Sequence, residues 1–516
     1  MIEQLGPQDA QFLFAQAGNT LTHVMSVNIY DPAGAPGGTV RFKDIIAHVA
    51  SRVATSPVFR RKLHRLPFDF DFPYWVEDKD FDLEAHLSHA RLPRPGDWRQ
   101  FCIQVARHFS RPMDMTRPLW DMYVVEGLDN IPGIAPGSFA TLTRIHHAAI
   151  DGASGTHFFV ALSDRDAAGH PVFDLAESAV PLGAEPAPLE TLTRAFNANL
   201  TSPVRLMQSL VKLSPGLLRA AQGGLAHPGQ MGPGVPETRF NAPLSPHKVF
   251  DAAEFPLVEL SAIRALVPGA TINDVVLAIC AGALRTYLLH HGELPDERLV
   301  ATAPVNLRTK SAEASRPGNN ISAMSVKLPT DLADPAERLA AVRDFTMEAK
   351  EARAGLSARV MTDLTKHIPG ATMALAARML TSPRFAPRAS NLFISNVPGP
   401  QFPLYMAGAR TTHQYGLAPL ANNMGLFIAT PSYDGKISFC VTADRAIMPD
   451  VAFFRTCLEQ AEAELGAALL ARAAAMREKA PPAGDKDMPQ RGKDVASGKK
   501  RVVRSAASVA RARRKT

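Results

Sequence analysis

The sequence predicts a mixed α/β protein built from two similar halves, joined by a connector and followed by a disordered tail. Three observations carry this. Residues 1–165 alternate short β-branched or aromatic runs with helical patterns, and residues 246–470 do so again. Between them, residues 166–245 are rich in Pro and Gly. Beyond Ala480 the chain is basic and nearly free of large apolar residues.

Taken in order, the first half offers strands in THVMSVNIY (22–30) and WDMYVVEGL (120–128), with a helix in QFCIQVARHFS (100–110). The connector holds AGHPVF, GAEPAPLE and GGLAHPGQMGPGVPE, with helical potential between Leu189 and Ala221. The second half offers strands in LVATAPVNL, ISAMSVKL, NLFISNV, GLFIAT and KISFCVTAD, and helices at 272–290, 333–354 and 450–469. Residues 481–516 contain valines and Met488 as their only large apolar residues, too little to bury against the entropy of folding. No repeat of solenoid period is present.

The chain has 516 residues, 46% hydrophobic and 20% charged, which suits a folded protein of two or three domains and excludes a fibrous or wholly disordered one. Its net charge is +7, but residues 481–516 alone hold eleven Lys/Arg against three Asp/Glu, so the first 480 residues sum to −1. The basicity belongs to the tail. Cys102, Cys280, Cys440 and Cys457 form no C-x-x-C pair, and the start MIEQLGPQDAQFLF lacks the order of a signal peptide, so a reducing, cytoplasmic setting is expected. The longest apolar stretch, Val275–Leu289, is interrupted by Arg285 and falls short of the roughly 20 residues of a bilayer span. Membrane contact is expected to be peripheral.

Chemistry concentrates in SFATLTRIHHAAIDG. A period of two through the strand places His146 and His147 on opposite faces if it continues through them, so one of them can face a reaction channel while its neighbour cannot. Gly152 then permits a turn, and a helix begins near Ser154. Acyl transfer from a thioester to an alcohol needs a base for the hydroxyl proton and donors for the developing oxyanion. Histidine, with an unperturbed pKa of about 6.5, suits the first role. A second pair, His290-His291-Gly292, closes a predicted helix and reads as a helix end. By contrast, H-H-x-x-x-D-G arises by chance on the order of once in several hundred chains of this composition.

HHAAIDG resembles the signature of the coenzyme A-dependent acyltransferase superfamily, which includes chloramphenicol acetyltransferase, condensation domains and the bacterial wax ester synthase/diacylglycerol acyltransferases. The rest of the chain resembles the last group, through LGPQDAQFLF, FRRKL (59–63), WVEDKDFDLEAHL (75–87), LPRPG (92–96), SRPMDMTRPLWDMYVVEGL (110–128), TINDVVLA (271–278), PVNLR (304–308), GNN (318–320) and SNVPGP (395–400). The likeness spans about residues 1–470. It implies two sandwich domains like those of chloramphenicol acetyltransferase, with a channel between them that admits the acyl-CoA from one side and the acceptor from the other. It also implies His147 as general base, His146 and Gly152 as shapers of the strand end, and Asp151 as a structural group paired with an arginine, with Arg308 the candidate. Pro118, Leu119 and Trp120 would line the acyl or acceptor path, although Trp120 equally suits a core. Asn273 and Asp274 are read either as a helix cap after Thr271 or as groups near the reacting centre. Ser395 and Asn396 are secondary candidates, since the turn before Val-Pro-Gly-Pro also explains them.

The expected activity is transfer of a long-chain acyl group from acyl-CoA, as substrate and without a cofactor or metal, to diacylglycerol, a fatty alcohol or both. The alternatives are a different acceptor, or a lipid-surface or scaffolding protein that keeps the fold without turnover. A serine hydrolase is disfavoured because Gly152-Ala-Ser154-Gly155-Thr156 misses G-x-S-x-G. His146 and Asp151 also fit the H-x4-D spacing of lysophosphatidate acyltransferases, but no E-G-T-R block accompanies them. There is no P-loop and no H-E-x-x-H. The tail reads as a solvated extension, nucleic acid is not an expected partner, and RLMQSLVKLSPGLLRAA (205–221) is the better candidate for peripheral contact with the inner membrane face or lipid inclusions.

Overall fold

The computed structural model describes residues 3–66, 71–150, 154–172, 234–306, 321–352, 370–386 and 388–479, together with three single positions between 190 and 196. Most of the connector, including 205–221, and the tail from 480 lie outside the described residues. So do Asp151, Gly152 and Arg308.

Among the described residues, fifteen strands run in chain order: β1 Glu3–Gln4, β2 His23–Asp31, β3 Arg61–His64, β4 Tyr74–Glu77, β5 Leu87–Arg91, β6 Trp120–Glu126, β7 Phe139–His146, β8 Lys248–Pro256, β9 Leu299–Asn306, β10 Ile321–Leu328, β11 Leu392–Pro398, β12 Tyr405–Met406, β13 Ala409–Leu417, β14 Leu426–Tyr433 and β15 Lys436–Asp444. The helices that matter below are α1 Pro7–Ala15, α2 Phe42–Arg52, α3 Trp98–Phe109, α4 Ser154–Ala161, α5 Leu257–Ala265, α6 Ile272–His290, α7 Pro335–Ala352, α8 Gly370–Thr381 and α9 Val451–Lys479.

Two six-stranded mixed sheets dominate, ordered β12-β13-β2-β7-β6-β5 and β10-β9-β11-β14-β15-β8. The second sheet buries one face against α5, α6, α7 and α9 in a single apolar cluster. Its central helix α6 is set by a reciprocal cap, in which Thr271 and Asp274 exchange hydrogen bonds, and ends where Gly292 takes φ +67°. That helix is long and apolar enough to cross a membrane by composition, yet its residues from Asp274 to Leu284 are all buried in the core. Gly282 matters here because a Cβ would come within 3.0 Å of Ala461 on α9. Contacts divide the chain after Ala471, and residues 472–479 continue α9.

The halves by sequence are not the halves by sheet. Strand β13 lies in the second half of the chain but pairs antiparallel with β2, from Arg410 opposite Asp31 to Leu417 opposite Met25, with an irregularity between Thr411 and His413. Period-two alternation aims Met25, Val27 and Ile29 of β2 and Ala140 and Leu142 of β7 into a cluster shared with α3 and with Phe250, Tyr415, Ala429 and Cys440 of the second half. Trp98 of α3 packs on Tyr415 at 5.5 Å between ring centroids and donates its indole N–H to Asp251 at 2.8 Å. A second junction forms where Asp164 and Tyr405 exchange backbone hydrogen bonds of 2.8 Å and the Asp164 carboxylate pairs with Arg52.

Because Tyr415 fills the space between the two sheets, Tyr415→Ala is expected to cost about 3–5 kcal/mol, as for other buried aromatics. The exposed Phe402→Ala should cost no more than about 0.5 kcal/mol. Urea unfolding midpoints of the two variants check this, and equal shifts would contradict a shared core.

Candidate active site

β7 is buried along its whole length, on both faces. Each polar side chain on it therefore needs a partner inside the protein. Arg144 meets this with Asp121 of β6, through Nη2 at 2.6 Å and Nε at 3.0 Å, and its Nη1 donates to the carbonyls of His108 and Arg111 at the end of α3. His108 Nε2 also reaches Asp121, at 3.2 Å. Burial acts to raise the Asp121 carboxyl, but the bonds from His108 and Arg144 and the Arg144 charge hold it far below the usual carboxylate range.

The strand ends at His146, and His147 begins a 3-10 turn. The end is pinned on both sides: His146 N–H donates to the Leu119 carbonyl and His147 N–H to the Thr22 carbonyl, each at 2.9 Å. His146 has no ring nitrogen to spare. Its Nδ1 accepts the Ala148 N–H at 3.1 Å, which assigns the ring proton to Nε2, and Nε2 lies 2.9 Å from both Gln16 Oε1 and Thr22 Oγ1. Burial, with the neighbouring His23 and His147, lowers its pKa to about 3. A neutral imidazole committed at both ends is a structural element, not a proton shuttle.

His147 is the opposite case. Its ring stacks on Phe12 of α1, with centroids 3.7 Å apart and planes at 16°. Its Nδ1 is buried with no partner from another described residue, and the one group favouring a protonated ring is its own main chain. Burial lowers the pKa to about 4, so the ring is neutral near pH 7. A proton on Nδ1 leaves the Nε2 lone pair free to accept another. The arrangement suits a buried general base.

The other candidates divide. Leu119 supplies the carbonyl that holds His146, and Pro118 accepts the Trp120 N–H at 2.8 Å. Trp120 sits in the core, its indole N–H on the Phe59 carbonyl at 3.0 Å and its ring stacked on His86. Asp274 is absorbed by the cap of α6, one oxygen on Thr271 and the other accepting from Thr346 at 2.8 Å, while Asn273 beside it is half-buried. Ser395 and Asn396 lie in β11, opposite Ala429 and Thr430 of β14. The expected pairing of Asp151 with Arg308 lies outside the described residues; among those described, Arg144 of β7 pairs with Asp121 of β6. Among the described residues no three His, Cys, Asp or Glu cluster to hold a metal.

Phe12, Gln16, Thr22, Asp121 and Arg144 were not among the candidates read from sequence. A charged residue inside each of the apolar runs WDMYVV and FATLTRI was the available signal for Asp121 and Arg144. For Gln16 and Thr22, more than 120 positions from His146, no local signal exists.

The chain matches the family model described as the wax ester synthase/diacylglycerol acyltransferase catalytic domain over residues 5–276, and that of the C-terminal domain over 317–465. It belongs to the wax ester synthase/diacylglycerol acyltransferase family. The family is acyl-CoA-dependent, and the chain is an O-acyltransferase. A putative diacylglycerol O-acyltransferase of Mycobacterium tuberculosis is 31% identical over 466 residues, 87% of each chain. A solved wax ester synthase/diacylglycerol acyltransferase from Marinobacter aquaeolei VT8 is 26% identical and superposes with a TM-score of 0.64, covering 90% of this chain and 99% of that one. The first condensation domain of the calcium-dependent antibiotic synthetase shares the fold alone, at 14% identity and a TM-score of 0.53, over 91% of this chain and 96% of its own. These likenesses agree with the expected chloramphenicol acetyltransferase-like α/β architecture.

Burial of histidines gives this acyltransferase a pH signature, to which His48, His86, His108 and His413, all lowered by burial, also contribute. His23, which donates Nε2–H to the Phe109 carbonyl at 2.8 Å, is lowered to about 3, like His146, and His147 to about 4, all from 6.5. Their folded values lie below the unfolded one, so the unfolded chain binds more protons, and stability is lost as pH falls from about 6.5 towards 4. Each contributes about 1.4 kcal/mol per pH unit in that window. Urea midpoints measured across it should fall steeply, and His146→Asn should remove one share of the slope; parallel curves would show that His146 titrates normally.

Proposed function

We propose that this protein transfers a long-chain acyl group from acyl-CoA to diacylglycerol, a long-chain alcohol or both, with His147 as the general base. The acceptor hydroxyl gives its proton to His147 Nε2 while its oxygen attacks the thioester carbonyl. The tetrahedral intermediate collapses with cleavage of the C–S bond, and the imidazolium returns the proton to the thiolate of coenzyme A. Ester and free thiol are the products, and no covalent acyl-enzyme is needed. The observation that carries this reading is the asymmetry of the histidine pair: both nitrogens of His146 are engaged, whereas His147 is neutral and stacked on Phe12 with no partner from another described side chain.

Around this step the other residues take supporting parts. Gln16, Thr22 and Leu119 fix the strand end, and through it the aim of His147. Asn273 is the candidate side-chain donor to the oxyanion, since its neighbour Asp274 is occupied by the helix cap. Apolar acceptors place the enzyme at the cytoplasmic face of a membrane or at lipid inclusions.

Free-thiol release from a long-chain acyl-CoA, measured with diacylglycerol and with hexadecanol in separate assays, tests the proposal. His147→Ala is expected to lower turnover by roughly 100- to 10,000-fold in a folded protein. Near-normal turnover in that variant would remove His147 from the mechanism, and turnover only with a short amine would change the acceptor class. The wild-type rate should hold from pH 8 down past 6.5 and fall with a midpoint near 4, because His147 must be neutral to accept the proton.

A further inference from the structure

Helix α8, GATMALAARMLT, is apolar on both sides. Its inner face, through Met373 and Ala374, packs into the same core as Leu13 and Phe14 of α1. On its outer face Leu375 is 62% exposed and Met379, one turn later, 50%, and Phe385 in the following turn is 63% exposed. Clustered exposed apolar side chains of this size mark an interaction surface.

The charge of this surface narrows what covers it. Residues 370–391 hold no Asp or Glu, and three arginines, Arg378, Arg384 and Arg388, lie on α8 or just beyond it. Arg388 makes a surface pair with Glu237 at 3.2 Å. A second copy would set this positive patch against itself. The chain's own apolar segment 205–221, which lies outside the described residues, carries Arg205, Lys212 and Arg219 without a carboxylate and so has the same sign. An apolar phase with an anionic surface satisfies both features at once, with side chains inserted and arginines at the headgroups.

We propose that the outer face of α8 and the turn to Arg388 form a docking surface for an anionic lipid surface. The inner face of α8 lies on α1, and α1 carries Phe12 against His147, so the docked surface stands one helix layer from the base. That this layer is where an apolar acceptor enters rests on the function proposed above; the docking itself does not.

Co-sedimentation of the full-length protein with vesicles of phosphatidylcholine, with and without phosphatidylglycerol, tests this independently of acyl-acceptor choice. The triple variant L375Q/M379Q/F385Q and the double variant R378Q/R384Q are each expected to lose about tenfold or more in binding to the anionic vesicles. Thiol release from a soluble short-chain acyl-CoA and short-chain alcohol should be unchanged in both. Unchanged vesicle binding overturns the proposal. So does a wild-type dimer that the triple variant dissociates, which would assign the face to a second copy. Amide exchange at α8 that is slow without vesicles and accelerates when residues 205–221 are deleted would assign it to the chain itself. If the wild type binds vesicles but turns over neither diacylglycerol nor hexadecanol, the docking surface stands and the proposed acceptor falls.

Discussion

A strand with no side facing water is the constraint on which the site depends. The guanidinium and imidazole groups carried by β7 must find their partners inside the protein, since an unmade hydrogen bond there costs about 1–3 kcal/mol. Arg144 is met by Asp121 and by the carbonyls that end α3, and His146 by Gln16, Thr22 and the turn it caps. These bonds fix the last residue of the strand from three directions. The next residue, His147, is aimed by geometry that it does not itself have to maintain.

The same burial sets the electrostatics. Removing imidazoles from water penalises their charged forms, so His23, His146 and His147 all sit neutral near pH 7. A low pKa in a base is a compromise: it guarantees the unprotonated form but weakens the pull on a proton. For His147, in the role proposed for it, the compromise is eased by its own main chain, which favours the charged ring.

Much of this was legible in the sequence. β2, β6, β7 and, in the second half, β9, β10, β11, β14 and β15 follow runs of alternating or β-branched residues, and α6 matches residues 272–290 because its start and stop signals, Thr271 and Gly292, are both strong. A period of two would separate His146 from His147 only if the strand ran through both, and it stops at His146; the choice of His147 as base comes from the family resemblance. What was not legible depends on distance along the chain. β13, ARTTHQYGL, is too polar to announce itself, and its partner β2 lies nearly 400 residues earlier. α8 shows no amphipathic stripe because it is apolar on both sides, and α9 runs ten residues past the expected end because AALLARAAAMREK contains no stop signal. Phe12 and Gln16, on the first helix and its cap, gain their roles only when the chain returns to them at residue 146.

The pairing of β13 with β2 also sets a timetable for biosynthesis. When β2 emerges from a ribosome its outer edge has no neighbour, and the strand that will cover it, ending at Leu417, is made some 385 residues later. At about 5–20 residues per second that interval is roughly 20–80 s. Throughout it, the first sheet presents an open edge of unpaired amides and carbonyls, the kind of surface that recruits wrong strands. The nascent chain therefore cannot finish one half before starting the other, and its yield depends on how well that edge is guarded until residue 417 arrives.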